Sequence, residues 1–417
     1  MKLALVHGKY FNSWEALGLG YIGAYVASHV PDIELSFMQG CFDDDATILA
    51  ACSNADIVAF SCTSPSFAHA AATARAIKAI NPKAWTVAGG YHVSALQQAC
   101  LGDGIDQIVI GEGEAAMLEI VAGNRFPVVQ GRNMDFAELA WPDRNLIRNE
   151  RNIAVAFAEN AKRITSFQSH RACPFMCKYC CDGFNKVLYG NVRKAPVRYR
   201  PVGDLLSEID SVSKRFKLDL VKFADPTWNT NVDWVIEFCK EKLARKIPVP
   251  FYPNIHATMS SEQMFEFMAR AGCYEVAIGV ESGSPRILKQ IGKGTTVETI
   301  RRCVKWAKQA GILCRGYFIV GMPDETDEDL ALTEEFAAEL DLDEYGFTLL
   351  CPYPGTAMYD PVKFKDVDWE QADEYSNDFW NGTKLSNAQF KAWQQRLARR
   401  FNRKLTWHHR VLGHGAA

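Results

Sequence analysis

Three cysteines stand close together at Cys173, Cys177 and Cys180, with the spacing C-x3-C-x2-C. Three thiolates on one short loop can hold a single iron–sulfur cluster. A cubane cluster has four irons, so three local ligands leave one iron open to a substrate or cofactor, as in catalytic metal sites. A structural zinc site would need a second cysteine pair or a Cys/His pair, and the downstream cysteines stand singly. Three buried cysteines without a metal are the alternative.

The segment Arg171–Cys180 resembles the cluster motif of the radical S-adenosylmethionine (SAM) enzymes. Tyr179 is the aromatic residue that precedes the last cysteine of that motif, and Ala172 replaces its usual glycine. The resemblance implies that the three cysteines hold a [4Fe–4S] cluster and that SAM chelates the fourth iron. It also implies that an electron from the cluster cleaves SAM to a 5′-deoxyadenosyl radical. Cys181 is expected to be a packing residue, with a role in substrate chemistry as the alternative.

The composition is that of an ordinary globular protein, with 417 residues, 48% of them hydrophobic and 23% charged. This length is enough for two or three domains. The net charge of −3 argues against a nucleic-acid-binding protein that relies on bulk charge. The 13 cysteines lie mostly in apolar runs, unlike a secreted disulfide framework. We find no signal peptide and no membrane-spanning run, and therefore expect a protein of the reducing cytoplasm, without a membrane partner.

Residues 2 to about 122 alternate short apolar runs with helical patterns. This alternation predicts an α/β fold, a parallel sheet with helices on both faces. Ligands of such sheets bind beyond the carboxyl ends of the strands, where small and polar residues stand in this chain. Those residues favour a wide, flat ligand pressed against backbone. The predicted strands are Lys2–His7, Ile33–Met38, Asp56–Cys62, Ala84–Ala88 and Gln107–Ile110.

Three glycine-containing turns, at residues 17–21, 87–92 and 109–114, resemble in order and spacing the cobalamin-binding Rossmann domain found ahead of many radical SAM domains. The resemblance implies cobalamin contacts at Trp14, Gly18, Leu19, Gly20, Ser61, Cys62, Thr63, Ser64, Gly89, Gly90, His92, Gly111 and Glu112. Domains that supply a histidine to cobalt carry Asp-x-His-x-x-Gly, and no histidine here has Asp two residues before it. We therefore expect base-off cobalamin without a histidine ligand. A vestigial domain that binds nothing is the alternative.

From Arg163 onward the alternation resumes, and six βα units resemble the partial (β/α)6 barrel of radical SAM enzymes. The predicted strands are Arg163–Gln168, Leu220–Ala224, Val249–His256, Glu275–Val280, Cys314–Val320 and Tyr345–Leu350. The expected domains are a Rossmann-like cobalamin-binding domain at 1–123, a linker at 124–160, the barrel at 161–355 and a C-terminal helical, aromatic-rich segment at 356–417. In that last segment Phe390, Trp393, Leu397 and Phe401 fall close to helical spacing, which predicts a core face.

Chemistry in βα barrels sits at the carboxyl ends of the strands, and polar or glycine residues follow several strands here. Asp225 either bonds a ligand amine or caps the next turn. The carboxylate of Glu281 interrupts an apolar strand and needs a partner. Glu281 and its neighbour resemble the family's Val-Glu-Ser-Gly segment, and residues 315–325 are similar to its Gly-x-Ile-x-Gly-x-x-Glu region, which lines the adenine. The resemblance implies SAM contacts at Tyr179, Asp225, Glu281, Ser282, Arg315 and Gly321.

The whole pattern, over about residues 1 to 360, most resembles the cobalamin-dependent radical SAM methylases. This implies methyl transfer from SAM through methylcobalamin to an unactivated carbon of a small molecule or peptide, with an electron donor such as flavodoxin or ferredoxin. A cobalamin-containing enzyme that performs a cyclisation or rearrangement is the alternative within the class. An iron–sulfur sensor or electron carrier is the alternative from another class, but it would not need Asp225, Glu281 and Gly321 around a cofactor pocket.

Overall fold

The computed structural model describes residues 1–10, 12–184, 197–372, 374 and 380–401. They divide into two compact units. Within the described residues, the first unit contains Met1–Val155, Phe184 and Tyr353–Ala372. The second contains Ala156–Gly183, residues 197–352, residue 374 and residues 380–401.

The first unit is built on one six-stranded parallel sheet, with strand order β2-β1-β3-β4-β5-β6. Its strands are β1 (Lys2–His7), β2 (Glu34–Gln39), β3 (Ile57–Ser61), β4 (Trp85–Gly89), β5 (Gln107–Ile110) and β6 (Val128–Gln130). The helices are α1 (Leu17–His29), α2 (Asp45–Cys52), α3 (Phe67–Ile80), α4 (Tyr91–Leu96), α5 (Glu114–Val121) and the first part of α6 (Glu150–Asn160), whose residues from Ala156 onward belong to the second unit. The predicted α/β fold is confirmed, and the five predicted strands lie within one residue of the observed bounds.

Both faces of this sheet are covered by apolar cores. Successive side chains of a strand point to opposite faces. In β1, Ala4 and Val6 therefore enter one buried cluster, whereas Leu3 and Leu5 enter the other. Strands buried on both faces read as continuous apolar runs, which is why β1 was recognisable in the sequence.

Residues 124–155 belong to the first unit, so the expected linker at 124–160 is wrong for most of its length. Strand β6 extends the sheet, and polar contacts fasten the start of α6. Arg151 Nη1 lies 2.7 Å from Asp43 Oδ1, and Asn152 Nδ2 donates to the carbonyl of Ser13 at 2.7 Å. A three-residue strand and contacts made by single polar side chains leave no periodic pattern in the sequence.

Residues 353–372 also belong to the first unit, although they were expected to belong to the barrel and the C-terminal segment. Tyr359, Phe364 and Trp369 pack together, with ring centroids 6.1 to 6.5 Å apart. The 3-10 turn Trp369–Gln371 lies against the 3-10 turn Ser64–Ser66. This segment therefore packs beside the carboxyl end of β3.

The second unit contains two parallel sheets, of order β11-β10-β7 and β12-β13-β14-β15, and an antiparallel pair of β8 with β9. Its strands are β7 (Ile164–Phe167), β8 (His170–Arg171), β9 (Arg198–Tyr199), β10 (Leu220–Phe223), β11 (Phe251–Tyr252), β12 (Asn254–Ile255), β13 (Glu275–Glu281), β14 (Leu313–Val320) and β15 (Glu344–Leu349). The helices are α7 (Val202–Phe216), α8 (Val232–Ala244), α9 (Glu262–Arg270), α10 (Pro285–Ile291), α11 (Val297–Gln309), α12 (Asp327–Leu340) and α13 (Asn387–Phe401).

The six predicted barrel strands are all present. Strands β11 and β12 are two parts of one predicted strand, interrupted at Pro253, because proline has no N–H to donate to a sheet. Within each of the two parallel sheets the neighbouring strands follow the chain order, β7, β10 and β11 in one and β12 to β15 in the other, as expected for a partial barrel. No helix in the described part of the chain is long and apolar enough to cross a membrane.

Helix α13 packs onto the second unit through the face that its spacing predicted. Phe390, Trp393 and Leu397 are buried in one cluster with residues of β14, α12 and β15. The core-face prediction is confirmed. Residues 375–379 and 402–417 of the C-terminal segment lie outside the described residues.

Replacing Leu397 by Ala should lower the free energy of unfolding by about 2–5 kcal/mol, the usual cost of such a truncation in a core. Urea unfolding of the full chain measures the change. Arg399 is exposed on the same helix, so Arg399→Ala is the control and should stay within about 0.5 kcal/mol of the parent. Equal stabilities for the two variants would contradict the packing of this helix.

Candidate functional site

The three cysteines stand on the loop that follows β8. Cys173 is buried, whereas Cys177 and Cys180 are partly exposed. The N–H of Cys180 donates to the carbonyl of Cys177 at 3.2 Å. Hydroxyl and carboxylate groups lie near two of the sulfurs: Thr227 Oγ1 is 3.7 Å from Cys173 Sγ, and Asp182 Oδ2 is 3.8 Å from Cys180 Sγ. Three thiols on one partly exposed loop are a donor set that fits a cluster with one open iron.

The loop begins at a strained backbone position. Ala172 has a φ of 70°, in the left-handed region where a side chain costs roughly 1–2 kcal/mol. This conformation explains why glycine is the usual residue there, and it turns the chain from β8 toward Cys173.

Burial favours the protonated form of two of the cluster cysteines, Cys177 and Cys180. Loss of hydration raises the pKa of the Cys177 thiol to about 11 and the pKa of the Cys180 thiol well above its ordinary value. Burial also raises the pKa of Cys181 to about 12. Iron binds thiolates, so cluster assembly must release protons from the ligand cysteines.

Asp225 shapes the chain leading into the cluster loop. Its Oδ1 accepts the backbone N–H groups of Ser169 and His170, each at 3.0 Å. The carboxylate is fully buried, and its Oδ1 also lies 3.3 Å from His170 Nδ1. The observed contacts make Asp225 a positioning residue for the loop, and its predicted contact with SAM stays a prediction.

Glu281 lies at the carboxyl end of β13, where the register with β14 shifts. It adopts a φ of 64°, a left-handed conformation that is costly for a residue with a side chain. Its Oε1 accepts a hydrogen bond from the hydroxyl of Tyr179 at 2.8 Å and forms an ion pair with Lys293 Nζ. The structure therefore brings the aromatic residue of the cluster motif and the carboxylate of β13 into direct contact.

Ser282 and Arg315 do not join this group. The hydroxyl of Ser282 is buried and lies 3.0 Å from Thr333 Oγ1 of α12. Arg315 forms ion pairs with Glu275 and Glu344, near the amino ends of the barrel strands. Arg315 stands six positions before Gly321, which is about 20 Å along a strand. The predicted contact of Arg315 with SAM is not supported by this packing, because its side chain lies near the opposite end of β14.

Gly321 ends β14 in a turn that requires glycine. Its φ is 92°, and a Cβ would approach the ring of Phe390 to 2.9 Å. The Gly321 N–H donates to Glu325 Oε2 at 2.7 Å, and Trp380 Nε1 donates to the Gly321 carbonyl at 2.9 Å. The carboxyl ends of β10, β13 and β14 thus carry Asp225, Glu281 and Gly321.

In the first unit, the predicted cobalamin residues divide into those at the sheet edge and those in the core. Leu19 and Cys62 belong to the two apolar cores. Gly20 packs against Pro142, whose Cβ would lie 3.1 Å from a Cβ at Gly20. Predicted cobalamin contacts by the Leu19 and Cys62 side chains and by Gly20 are therefore not supported by this packing. The partly or largely exposed positions are Trp14, Gly18, Ser61, Thr63, Gly89, Gly90, Gly111 and Glu112.

Two glycines leave room at this edge for a ligand close to the backbone. A Cβ at Gly18 would meet nothing within 4 Å, and one at Gly89 would meet only Val109, at 3.7 Å. Gly90 differs, since its φ is 100° and a Cβ would come within 2.5 Å of the Cys62 carbonyl oxygen. Open space at Gly18 and Gly89 fits a flat cofactor, whereas Gly90 is required by the fold itself.

His92 is a buried, neutral histidine. Its Nδ1 lies 3.0 Å from Ser64 Oγ, and its ring stacks on Phe67 with centroids 4.5 Å apart. Burial lowers the pKa of His92 to about 4. The His69 ring also has protein partners: its Nδ1 accepts from the Lys9 N–H, and its Nε2 contacts the Asp45 carboxylate. Both rings have protein partners in this structure, and the predicted contact of His92 with cobalamin stays a prediction.

The loop between β1 and α1 presents an aromatic side chain from a fixed backbone. Gln39 Nε2 donates to the carbonyl of Trp14 at 2.7 Å, and the neighbouring carbonyl of Ser13 accepts from Asn152. The Trp14 side chain is nevertheless 60% exposed, and Tyr10 lies edge-on to it at 6.2 Å. A fixed backbone with an exposed aromatic ring is what we expect of a residue that contacts a ligand.

Lys293 and Gln39 are the site residues that sequence reasoning missed. Lys293 follows α10 directly, in the sequence Gly292-Lys293-Gly294. A lysine between two glycines was a usable signal, because it marks a turn with one long side chain. Gln39 ends β2 with a buried amide, and a polar residue that ends an apolar strand was a similar signal.

Comparison with protein families matches both units. Residues 167–337 match the radical SAM superfamily, and residues 4–121 match the B12 binding domain. An uncharacterized methyltransferase of Pyrococcus horikoshii is 27% identical over 371 residues, covering 82% of this chain and 77% of the relative. An anaerobic magnesium-protoporphyrin IX monomethyl ester cyclase of Rubrivivax gelatinosus is 25% identical over 401 residues, covering 88% of this chain and 69% of the relative.

The solved structures extend the likeness of fold. The radical SAM methyltransferase TsrM of Kitasatospora setae, with cobalamin and a [4Fe–4S] cluster bound, superposes with a TM-score of 0.67. It is 16% identical, and the match covers 87% of this chain and 75% of that one. At this identity the likeness concerns the fold alone.

Replacing Cys173, Cys177 or Cys180 by Ala should abolish the cluster, because each removes one of three thiolate ligands. Anaerobically reconstituted parent protein should contain about four irons and four sulfides per chain. Iron and sulfide analysis, with the visible spectrum, measures the loss. Cys181→Ala is the matched control and should keep the cluster. A requirement for Cys181 would show that the ligand set is assigned wrongly.

Replacing Gly89 by Val should weaken corrinoid binding by about tenfold or more, a factor that corresponds to 1.4 kcal/mol. A Cβ at this position would meet only Val109, at 3.7 Å, and the added methyl groups would occupy the edge needed by the corrin. Equilibrium binding of cobalamin measures the effect. Gly90→Ala is the contrasting variant and should lower the unfolding midpoint even without corrinoid. Full corrinoid affinity in Gly89→Val would place the cofactor elsewhere.

Proposed function

Since the chain belongs to the radical SAM enzymes that carry an N-terminal B12-binding domain, we propose that it transfers a methyl group from SAM, by way of cobalamin, to an unactivated carbon atom of a small molecule or peptide. When bound, the cluster and SAM supply a radical able to abstract hydrogen, and cobalamin carries the methyl group. Such a carbon has no acidic proton for a general base, so a radical route is needed. The relative from Pyrococcus horikoshii, a methyltransferase by name, supports this function.

One observation carries the proposal, the contact of Tyr179 with Glu281 beside the three cysteines. It places a carboxylate from the carboxyl end of β13 next to the cluster motif. We propose that Glu281 accepts a hydrogen bond from the amino group or the ribose of SAM. The turn at Gly321 would face the adenine, and Asp225 would hold the cluster loop in place through the backbone.

In the first unit, the exposed indole of Trp14 and the open glycines Gly18 and Gly89 would hold cobalamin. We propose that cobalamin binds base-off and without a histidine ligand, because His92 and His69 are both engaged by protein groups. The enzyme would work in the cytoplasm with a small electron carrier such as flavodoxin or ferredoxin as its reductant.

A second candidate is a cyclisation or rearrangement that uses the same cofactors. It is favoured by the similarity to the cyclase of Rubrivivax gelatinosus, which covers 88% of this chain. The two candidates share a cluster, SAM and cobalamin, and they differ in the fate of the SAM methyl group. The products of SAM therefore separate them.

Turnover with methyl-labelled SAM should give near-equal amounts of S-adenosylhomocysteine and 5′-deoxyadenosine, with label in the product. One SAM is used to reload cobalamin and another for hydrogen abstraction. Chromatography of reactions with reduced, cobalamin-loaded protein and cell extract measures all three species. The matched control is the Cys177→Ala protein, which should form no deoxyadenosine. If the reaction yields deoxyadenosine but neither adenosylhomocysteine nor a methylated product, methylation is contradicted and the cyclase candidate takes its place.

A further inference from the structure

Lys293 carries a buried ammonium group that the proposed function leaves without a role. It is only 6% exposed. Its Nζ donates to the carbonyl of Gly279 at 2.7 Å and pairs with Glu281 Oε1. A buried ammonium is costly unless it is paired and hydrogen-bonded. Glu281 is the only carboxylate that contacts it among the described residues, so the two side chains fix one another.

The two partners of Glu281 use the same carboxylate oxygen. Lys293 and Tyr179 both contact Oε1. Within the part of the chain that the structure describes, no protein group bonds Oε2. The left-handed backbone of Glu281 places the carboxylate in this position. One oxygen is therefore held by the protein, and the other can accept a hydrogen bond from a ligand.

The backbone that carries Lys293 is fastened to the cluster loop. The Lys178 N–H donates to the carbonyl of Ile291 at 3.0 Å. The carbonyl of Lys293 lies 3.2 Å from His256 Nε2, and the His256 ring stacks on Phe175 with centroids 3.8 Å apart. The Lys293 ammonium pairs with Glu281 Oε1, the oxygen that also accepts from Tyr179, which stands between Cys177 and Cys180 in the cluster loop. The charge of Lys293 is thus held beside the cluster loop.

We propose that Lys293 is a positioning residue with two effects, an inference that rests on the proposed function. Together with Tyr179, its ammonium holds Oε1 of Glu281, so that Oε2 accepts a hydrogen bond from SAM. Its positive charge beside the cluster loop also stabilises the reduced cluster, because a nearby cation favours the added electron.

A double-mutant cycle on the reconstituted protein tests both effects. Lys293→Met should keep the cluster and weaken SAM binding about ten- to hundredfold, as expected for the loss of one charge-assisted hydrogen bond. Glu281→Gln should weaken SAM binding similarly. Adding Lys293→Met to Glu281→Gln should change SAM affinity little, since Lys293 acts through Glu281. A redox titration followed by electron paramagnetic resonance should show a more negative cluster potential in Lys293→Met.

Lys289 is exposed on α10, so Lys289→Met removes the same charge without touching Glu281 and should match the parent. Lys293→Arg keeps the charge, so its cluster potential should lie closer to that of the parent than the potential of Lys293→Met does. Parent-like SAM affinity and potential in Lys293→Met would overturn the proposal. So would additive effects of Lys293→Met and Glu281→Gln on SAM affinity.

A second variant covers the case in which Lys293→Met cannot hold a cluster. A Cβ at Gly279 would collide with Lys293 Nζ and Glu281 Oε1. Gly279→Ala should therefore separate the two charges and weaken SAM binding with the cluster intact, and an unchanged SAM affinity would overturn the proposal. Failure of the parent protein to cleave SAM would refute the proposed function alone, because the cluster potential of the variants is measured without turnover.

Discussion

The candidate chemistry of the second unit depends on one buried carboxylate that must stay paired. Glu281 is 5% exposed and adopts a left-handed φ at the end of β13. An unpaired charge in that position would be strongly destabilising. Tyr179 and Lys293 satisfy it, and both belong to segments that contact the cluster loop. The pairing therefore fixes the geometry of the loop and the direction of the carboxylate together.

The rest of each unit serves to bring such residues to one edge. Parallel strands run in one direction, so their carboxyl ends meet at the same edge and carry the turns that contact ligands. In the second unit that edge carries Asp225, Glu281 and Gly321, and in the first it carries Gly18, Gly89 and Gly111. Buried polar groups then fix the turns. Asp225 binds two backbone N–H groups, and Gln39 binds the carbonyl beside the exposed Trp14 ring.

The cysteine motif and the strands were predictable because both depend on the spacing of residues that are close together in the sequence. Strand β1 and helix α13 have patterns that their burial confirms. The misassignments have a common cause in tertiary structure. Arg315 and Gly321 belong to one sequence motif, yet Arg315 lies near the start of strand β14 and Gly321 follows its end. Residues 124–155 are held by scattered apolar and polar contacts without periodicity, and Lys293 reaches Glu281 at a point where the register of β13 with β14 shifts.

The central claim is that SAM binds the open iron of a three-cysteine cluster beside Glu281. Electron–nuclear double resonance on the reduced, reconstituted protein tests it most directly, with SAM that carries 15N in its amino group. The account predicts a 15N coupling to the cluster spin, because the amino nitrogen would be bonded to iron. A reduced cluster that shows no 15N coupling under saturating SAM would contradict the account, since the fourth iron would then be closed to SAM or occupied by another ligand.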